Sequence, residues 1–312
     1  MNLTDPIFHD ADKARQHLEK TRWPHGPICP HCGVVNEATM VGGKAARAGC
    51  YQCNACRSQF SATVGTVFER SKVPLNKWLL ATYLISSSKK GYSAHQLHRT
   101  LGVTYKTAWF MAHRIREAMN PADPAPIGGS GRVVEADETY IGGKEANKHA
   151  NKRGPRNPTG GKQAVVTLVE RNGAARSYHV ANVTSKTIRK VIVKTVSRQS
   201  HLMTDGANMY PAIGREFFAH STVDHSAGEY ARQGFHHSNT VENYFSILKR
   251  GIIGTFHHVS EAHLSRYLCE FDVRYSNREG LGINDTMRTD EALRGIAGKR
   301  LTYRRSGQAT NA

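Results

Sequence analysis

The sequence predicts an α/β core, a mixed sheet flanked by helices, set behind a small cysteine-built module and a pair of short helices. Three observations carry this. Four of the six cysteines fall in two C-x-x-C pairs with twenty residues between them. A proline- and glycine-rich break, NPADPAPIGGSG at 120–131, separates the first part of the chain from the rest. After the break, strand-like runs come first as a hairpin and then alternate with amphipathic helical stretches. That order gives a sheet with helices on its faces.

The chain has 312 residues, more than one ordinary domain needs, and is 39% hydrophobic, enough for a core. No apolar run approaches the roughly 18–20 residues that span a bilayer. The start, MNLTDPIFHDADKARQ, has charges where a signal peptide needs an apolar stretch. The expectation is a soluble, unexported, cytoplasmic protein with no membrane partner. Lys and Arg number 43 against 25 Asp and Glu, a formal net charge of +18. The basic residues spread over the whole length, which favours a polyanionic partner, nucleic acid first. A merely basic solvated surface is the plainer alternative.

CPHC at 29–32 and CNAC at 53–56 each form a tight turn that points both sulfurs at one centre. Two such knuckles close a tetrahedral zinc site. A disulfide framework needs an oxidising compartment, which nothing in the sequence suggests. Cys29, Cys32, Cys53 and Cys56 are therefore the expected ligands of a structural zinc. Pro30 and Gly33 suit the first knuckle, where the turn needs a fixed φ and then a positive one. Cys50 complicates the assignment, because Cys50 and Cys53 also make a C-x-x-C. Tyr51 and Phe60 fit the ribbon as strand residues around the second knuckle. Cys269 reads as a core thiol.

Next comes an apolar helix from about Leu75 to Ile85. A helix over about 94–100, a break at Gly102 and a second helix from Thr104 make a helix-turn-helix pattern. Spacing turns Ala108, Met111, Ile115 and Met119 inward. It offers Lys106, Thr107, His113, Arg114 and Arg116 outward, towards DNA. The alternative is a helix pair that only packs.

Beyond the linker, RVVEADETYIGG reads as a strand ending in carboxylates. A basic insertion, KEANKHANKRGPRNPTGGK at 144–162, reads as a loop. QAVVTLVERNGAARSYHVANV is two strands around Asn172-Gly173. TSKTIRKVIVKTVSR is a capped amphipathic helix. HLMTD is a strand ending at Asp205, another strand lies near 221–225, and NTVENYFSILKRGI is a helix. The order suits a ribonuclease-H-like sheet. The resulting division is an N-terminal helix and ribbon at 1–70, a helical DNA-binding domain at 71–120, a linker at 121–131, an α/β core at 132–285 and a basic tail at 286–312.

Asp137 and Asp205 each stand where a strand is expected to end, so both carboxylates reach one edge of the sheet. Glu242 begins a helix that can lean over that edge. Three gathered carboxylates repel unless a cation compensates them. Oxygen donors of this kind favour magnesium or manganese. Two such ions suit phosphodiester chemistry. Each acid has a plainer reading: Asp137 as a surface acid beside Glu135 and Glu138, Asp205 as a turn residue before Gly206, and Glu242 as the end of a capping box opened by Asn239. Lys249 lies two turns beyond Glu242 on the same helical face, about 10 Å away.

RWPHGPICPHCG, YQCNACRSQFSATVGTVFERSKVPLNKW, VVEADETYIGGK, TDGANMY and HSNTVENYFSILKRGIIGTFHHVS, with HLSRYLCEFDVRYSNR behind them, carry a family resemblance over about residues 10–280. The chain resembles the DDE transposases of bacterial insertion sequences, in the ISXO-like branch with an N-terminal zinc ribbon. The resemblance implies an RNase-H-like core with Asp137, Asp205 and Glu242 as its acids and Lys249, followed by Arg250, as basic residues meeting DNA. In this branch asparagine can fill the third position, which makes Asn239 the alternative. The implied activity is binding of terminal inverted repeats in double-stranded DNA, hydrolysis at the element end, and joining of the freed 3′-hydroxyl to target DNA by two-metal phosphoryl transfer. Pairing two ends implies a homodimer or higher assembly, nucleoid-associated when bound to DNA. The rivals are a nuclease that cuts without joining and a DNA-binding regulator with an inactive core. A tyrosine recombinase fits poorly, because Tyr275 has Arg274 and Arg278 nearby but no full Arg-His-Arg set.

Overall fold

The computed structural model describes residues 1–43, 47–143, 162–223 and 235–302. In chain order the elements are α1 (Ala11–Arg22), β1 (Ala38–Met40), β2 (Tyr51–Cys53), β3 (Gln59–Phe60), α2 (Leu75–Ser87), α3 (Ala94–Leu101) and α4 (Tyr105–Met119). There follow β4 (Val133–Ile141), β5 (Gln163–Glu170), β6 (Ala175–Val180), α5 (Ser185–Thr195), β7 (His201–Asp205), α6 (Tyr210–Gly214), β8 (Ala219–Val223), α7 (Asn239–Gly251), α8 (Glu261–Ser276) and α9 (Asp285–Arg294). The chain divides into two compact units, one of residues 1–88, 92–121 and 284–312, the other of 89–91 and 122–283.

In the first unit, β1, β2 and β3 form a small antiparallel sheet. Tyr51 and Phe60 are strand residues as expected. Their rings stack 5.7 Å apart and Trp23 meets both edge-on. The helix pair follows its sequence signals closely. Ser93 opens α3 with a capping box, and Gly102 ends it in the left-handed conformation at φ 61. Thr104 then caps α4 by accepting the Thr107 N–H.

Two features of this unit differ from the sequence reading. Ala108, Met111, Ile115 and Met119 are buried as their spacing predicts, but His113 and Arg116, expected to face outward, are only 1% and 2% exposed. The reason is that α4 packs against α2, α3 and α9, so its buried arc is wider than one apolar stripe. The second difference is α9 itself, which lies in the stretch read as a basic tail. Asn284 caps it, and it packs on α2 with α1 and α4 beside it.

The second unit is built on a five-stranded mixed sheet of order β6-β5-β4-β7-β8. The β4–β5 and β5–β6 pairs are antiparallel, and the β4–β7 and β7–β8 pairs are parallel. Asn172 takes a positive φ of 54 in the hairpin turn, as Asn-Gly predicts. Alternation along the strands fills two cores. Val134, Ala136, Val166, Leu168 and Leu202 pack under Ile188 and Ile192 of α5 and Tyr210 and Ile213 of α6. Ile141, Val165 and Val169 face Val241, Tyr244, Phe245 and Leu248 of α7 and Leu264 and Leu268 of α8. Within the expected linker, Ile127 is buried and bridges Val196. The end of the strand expected near 221–225 and the basic loop up to residue 161 lie outside the described residues. No helix among the described residues is long and apolar enough to cross a membrane.

Leu293 of α9 has no exposed surface. Leu293→Ala should destabilise the first unit by about 2–5 kcal/mol, read as a lower midpoint in denaturant melts. Arg294→Ala, on the exposed side of the same turn, should leave the midpoint nearly unchanged.

Candidate metal centre and active-site residues

The four predicted cysteines converge. Their sulfurs all lie within 4.8 Å of one another, with Cys29 Sγ 3.7 Å from Cys56 Sγ and Cys32 Sγ 3.6 Å from Cys53 Sγ. Zn–S bonds of about 2.3 Å in a tetrahedron separate sulfurs by about 3.8 Å, so this donor set fits zinc. The two knuckles repeat one backbone device. The Gly33 N–H donates to the Cys29 carbonyl and the Arg57 N–H to the Cys53 carbonyl. Both donors have positive φ, 78 and 62. Cys50 stands apart, its sulfur facing Gln59 Oε1 at 3.9 Å, so the competing C-x-x-C is not the one that closes the cluster.

In the sheet, the expected place of Asp137 needs correction. It is the fifth of nine residues in β4, not the strand end, because β4 goes on pairing with β5 through Ile141. The strand that does end is β7, at Asp205. The parallel register runs Val133↔His201 to Ala136↔Thr204. The next step places Asp137 beside Asp205 on neighbouring strands, about 4.8 Å apart in backbone. Side-chain alternation puts Asp137 on the face that α7 covers, with Ile141 of the same core.

Glu242 sits on the exposed side of the first turns of α7. Its relation to Asn239 is not the capping box the sequence suggested. Ser238 is the N-cap and Asn239 the first helical residue. Glu242 Oε1 accepts the Ser238 hydroxyl at 3.1 Å. The N–H groups of Thr240 and Val241 go instead to the Glu135 carboxylate, at 2.8 and 3.0 Å.

Burial pushes the Asp137 carboxyl up to about 7, and the charges of Glu138, Asp205 and Glu242 add to the rise against one bond from the Glu138 N–H. Glu138 is raised too, by burial and by Asp205, although the Tyr210 hydroxyl donates to it at 2.6 Å. The charges of Asp205 and Glu242 thus both bear on Asp137, and carboxylate oxygens are donors that suit hard divalent cations. Among the described residues, only the four cysteines bring three or more ligand atoms within 4.8 Å of one another.

The remaining predicted residues divide. Lys249 and Arg250 are exposed on the last turn of α7. Lys106 is exposed at the start of α4, with half-buried Thr107 beside it. Arg114 is half-buried and donates to the carbonyls of Glu69 and Leu301. Sequence reasoning passed over Glu135, Arg171 and the Glu138–Tyr210 pair. Period-two spacing from Asp137 was the available signal for Glu135.

A model of the ISXO2-like transposase domain matches residues 128–276, and a model of the transposase zinc-ribbon domain matches residues 9–59. An uncharacterized protein in transposable element ISH50 of Halobacterium salinarum is 30% identical over 280 residues, covering 86% of this chain and 91% of that protein. Among solved structures, a chain of the simian T-cell lymphotropic virus intasome in complex with PP2A regulatory subunit B56 gamma aligns with TM-score 0.29 and 17% identity, over 56% of this chain and 63% of that one. A pre-cleavage Mos1 transpososome aligns with TM-score 0.21 and 11% identity, over 62% and 74%.

Two outcomes follow from the geometry. Zinc content, measured by elemental analysis, should fall to background in Cys53→Ser and stay at the parent level in Cys50→Ser. For Asp137, the folded group is raised above the unfolded one, so stability declines as pH climbs from about 4 to about 7. Without added magnesium or manganese, Asp137→Asn should therefore melt later than the parent at pH 8, by on the order of 1–3 kcal/mol. The two should converge near pH 4.

Proposed function

The chain belongs to the ISXO2-like transposase family, and from that premise we propose that it is a DDE transposase with an RNase-H-like core whose catalytic acids are Asp137, Asp205 and Glu242. The observation that supports the reading is that burial holds Asp137 up to about 7, with the charges of Asp205 and Glu242 among those that add to the rise. Magnesium or manganese ions at the site would supply positive charge for the attacking and leaving oxygens of a phosphodiester. The chain's own part is positioning. Asp137 and Asp205 fix two donors on the sheet, and Glu242 brings a third from α7. Lys249 and Arg250, about 10 Å further along that helix, hold the incoming phosphate backbone.

The ribbon and the α3–α4 helix-turn-helix would bind the terminal inverted repeats, with Lys106 and Thr107 offered from the start of α4. Arg114 is engaged with carbonyls of its own unit, so it would serve DNA only by exchanging those partners. Zinc held by Cys29, Cys32, Cys53 and Cys56 stiffens the ribbon. The working complex would be a homodimer or larger, cytoplasmic and nucleoid-associated on DNA. The domain limits at residues 70, 120, 131 and 285 are part of the same proposal. A nuclease that cuts without joining and a regulator with an inactive core are the competing functions.

A strand-transfer assay decides among them, with a labelled duplex of the element end, a supercoiled plasmid and magnesium or manganese. Joined products should form with the parent and drop by on the order of 10²–10³-fold in Asp137→Asn, Asp205→Asn and Glu242→Gln, as for loss of a preorganised charge-stabilising group. Asn239→Ala should keep activity. The reverse pattern at 239 and 242 would move the third role to Asn239. Cleavage without joining would favour the nuclease, and binding without cleavage the regulator.

A further inference from the structure

We propose that Glu135 is a positioning residue that sets Glu242 against Asp137 by clamping the start of α7 to β4. This rests on the reading of Glu242 as the third acid. Glu135 lies two residues before Asp137 on the same face of the same strand, about 6.6 Å along it. Its side chain has no exposed surface. The carboxylate accepts the Thr240 N–H at 2.8 Å, the Val241 N–H at 3.0 Å and the Thr240 hydroxyl at 2.8 Å. Arg171 Nε donates to it at 2.6 Å and His237 Nδ1 lies 3.3 Å away. Arg171 extends the clamp by donating to the carbonyls of Phe235 and His237, just ahead of α7.

A helix start has free N–H groups and a partial positive charge, and a carboxylate satisfies both. Here the carboxylate comes from the sheet rather than from the helix's own cap, since Ser238 makes no side-chain capping bond to the α7 backbone. The strand that presents the first acid therefore also fixes the first turn of the helix that presents the third. The same carboxylate sets the height of the helix along β4, through Thr240 and Val241, and its entry path, through Arg171. Glu242 follows Val241 directly, so its backbone position is set by that bond.

The test measures Mn²⁺ binding by zinc-loaded, DNA-free protein, using electron paramagnetic resonance, with amide hydrogen exchange at Thr240 and Val241 alongside. Glu135→Gln should speed that exchange and weaken Mn²⁺ binding by about 10–100-fold, the usual cost of disturbing a residue that orients a metal ligand. In a Glu242→Gln background it should add little further loss, because Glu135 acts through Glu242. Thr240→Val, which removes one donor and leaves the backbone bonds, should give a smaller loss in the same direction and guards against a misfolded Glu135→Gln. If the parent binds Mn²⁺ in an Asp137-dependent way and Glu135→Gln binds it equally well, the positioning role is overturned alone. It is overturned also if the Glu135 and Glu242 losses simply add. A parent that binds no Mn²⁺ would sink the metal-centre reading and this inference with it.

Discussion

Strand β4 is paired on both sides, and unequally. It runs antiparallel to β5 from Val134 to Ile141, but its pairing with β7 ends at Ala136 and Thr204. Everything at the acid site depends on that inequality. Where β7 stops, the parallel side of β4 opens, and Asp137 is the first residue beyond. Asp205, the last residue of β7, lies beside it. A strand of ordinary length ending at Asp137 would have lost its antiparallel partner too, and the aspartate would have hung on a mobile turn. Instead β5 keeps it within a rigid ladder.

Two packed faces hold that central strand in register. Because side chains alternate, Val134 and Ala136 enter the core under α5 and α6 while Glu135 and Asp137 turn toward α7. A slip by one residue would send both carboxylates into the aliphatic core under α5 and α6 and turn Val134 and Ala136 toward the start of α7, leaving its N–H groups without their carboxylate partner. On the α7 side a second buried carboxylate, Asp272 of α8, accepts Tyr244 of α7 at 2.5 Å and the Ser177 hydroxyl of β6 at 2.7 Å. Helix α7 is thus tied to the sheet at its start by Glu135 and in its second turn through Tyr244.

How much of this was legible follows from the range of each interaction. The cysteine knuckles, the Gly102 break, the helix start at Thr104, the capped start of α5 and the Asn172 turn were read correctly, because each depends on residues a few positions apart. The mixed sheet followed from element order. The misreadings are of long range. Nothing near His113 or Arg116 signals that α9 returns from residue 285 to join α2 and α3 against α4. Nothing near Asp137 says that β5 will carry the strand four residues past it. Asn239 and Glu242 looked like a capping box because the true cap of the Thr240 and Val241 amides comes from a residue 105 positions earlier. Glu135 looked like one of three interchangeable acids in EADE until its partners were known.

Those acids separate by their donors. Glu135 has no exposed surface yet meets two backbone N–H groups, a hydroxyl and a guanidinium. Removing its partners would leave a buried charge at a cost on the order of 3–5 kcal/mol, so its role is to be satisfied in place. Asp137, two residues on, has among the described residues only the Glu138 N–H as a donor and three other carboxylates bearing on it. One face of one strand therefore carries a carboxylate with four donors and another that has, among the described residues, one. Of the two, the second has the fewer donors and is the one that a cation would stabilise more. The same contrast explains why composition alone could not rank the acids. Residue type gives the charge, and the donors that tertiary structure brings determine whether that charge is already balanced.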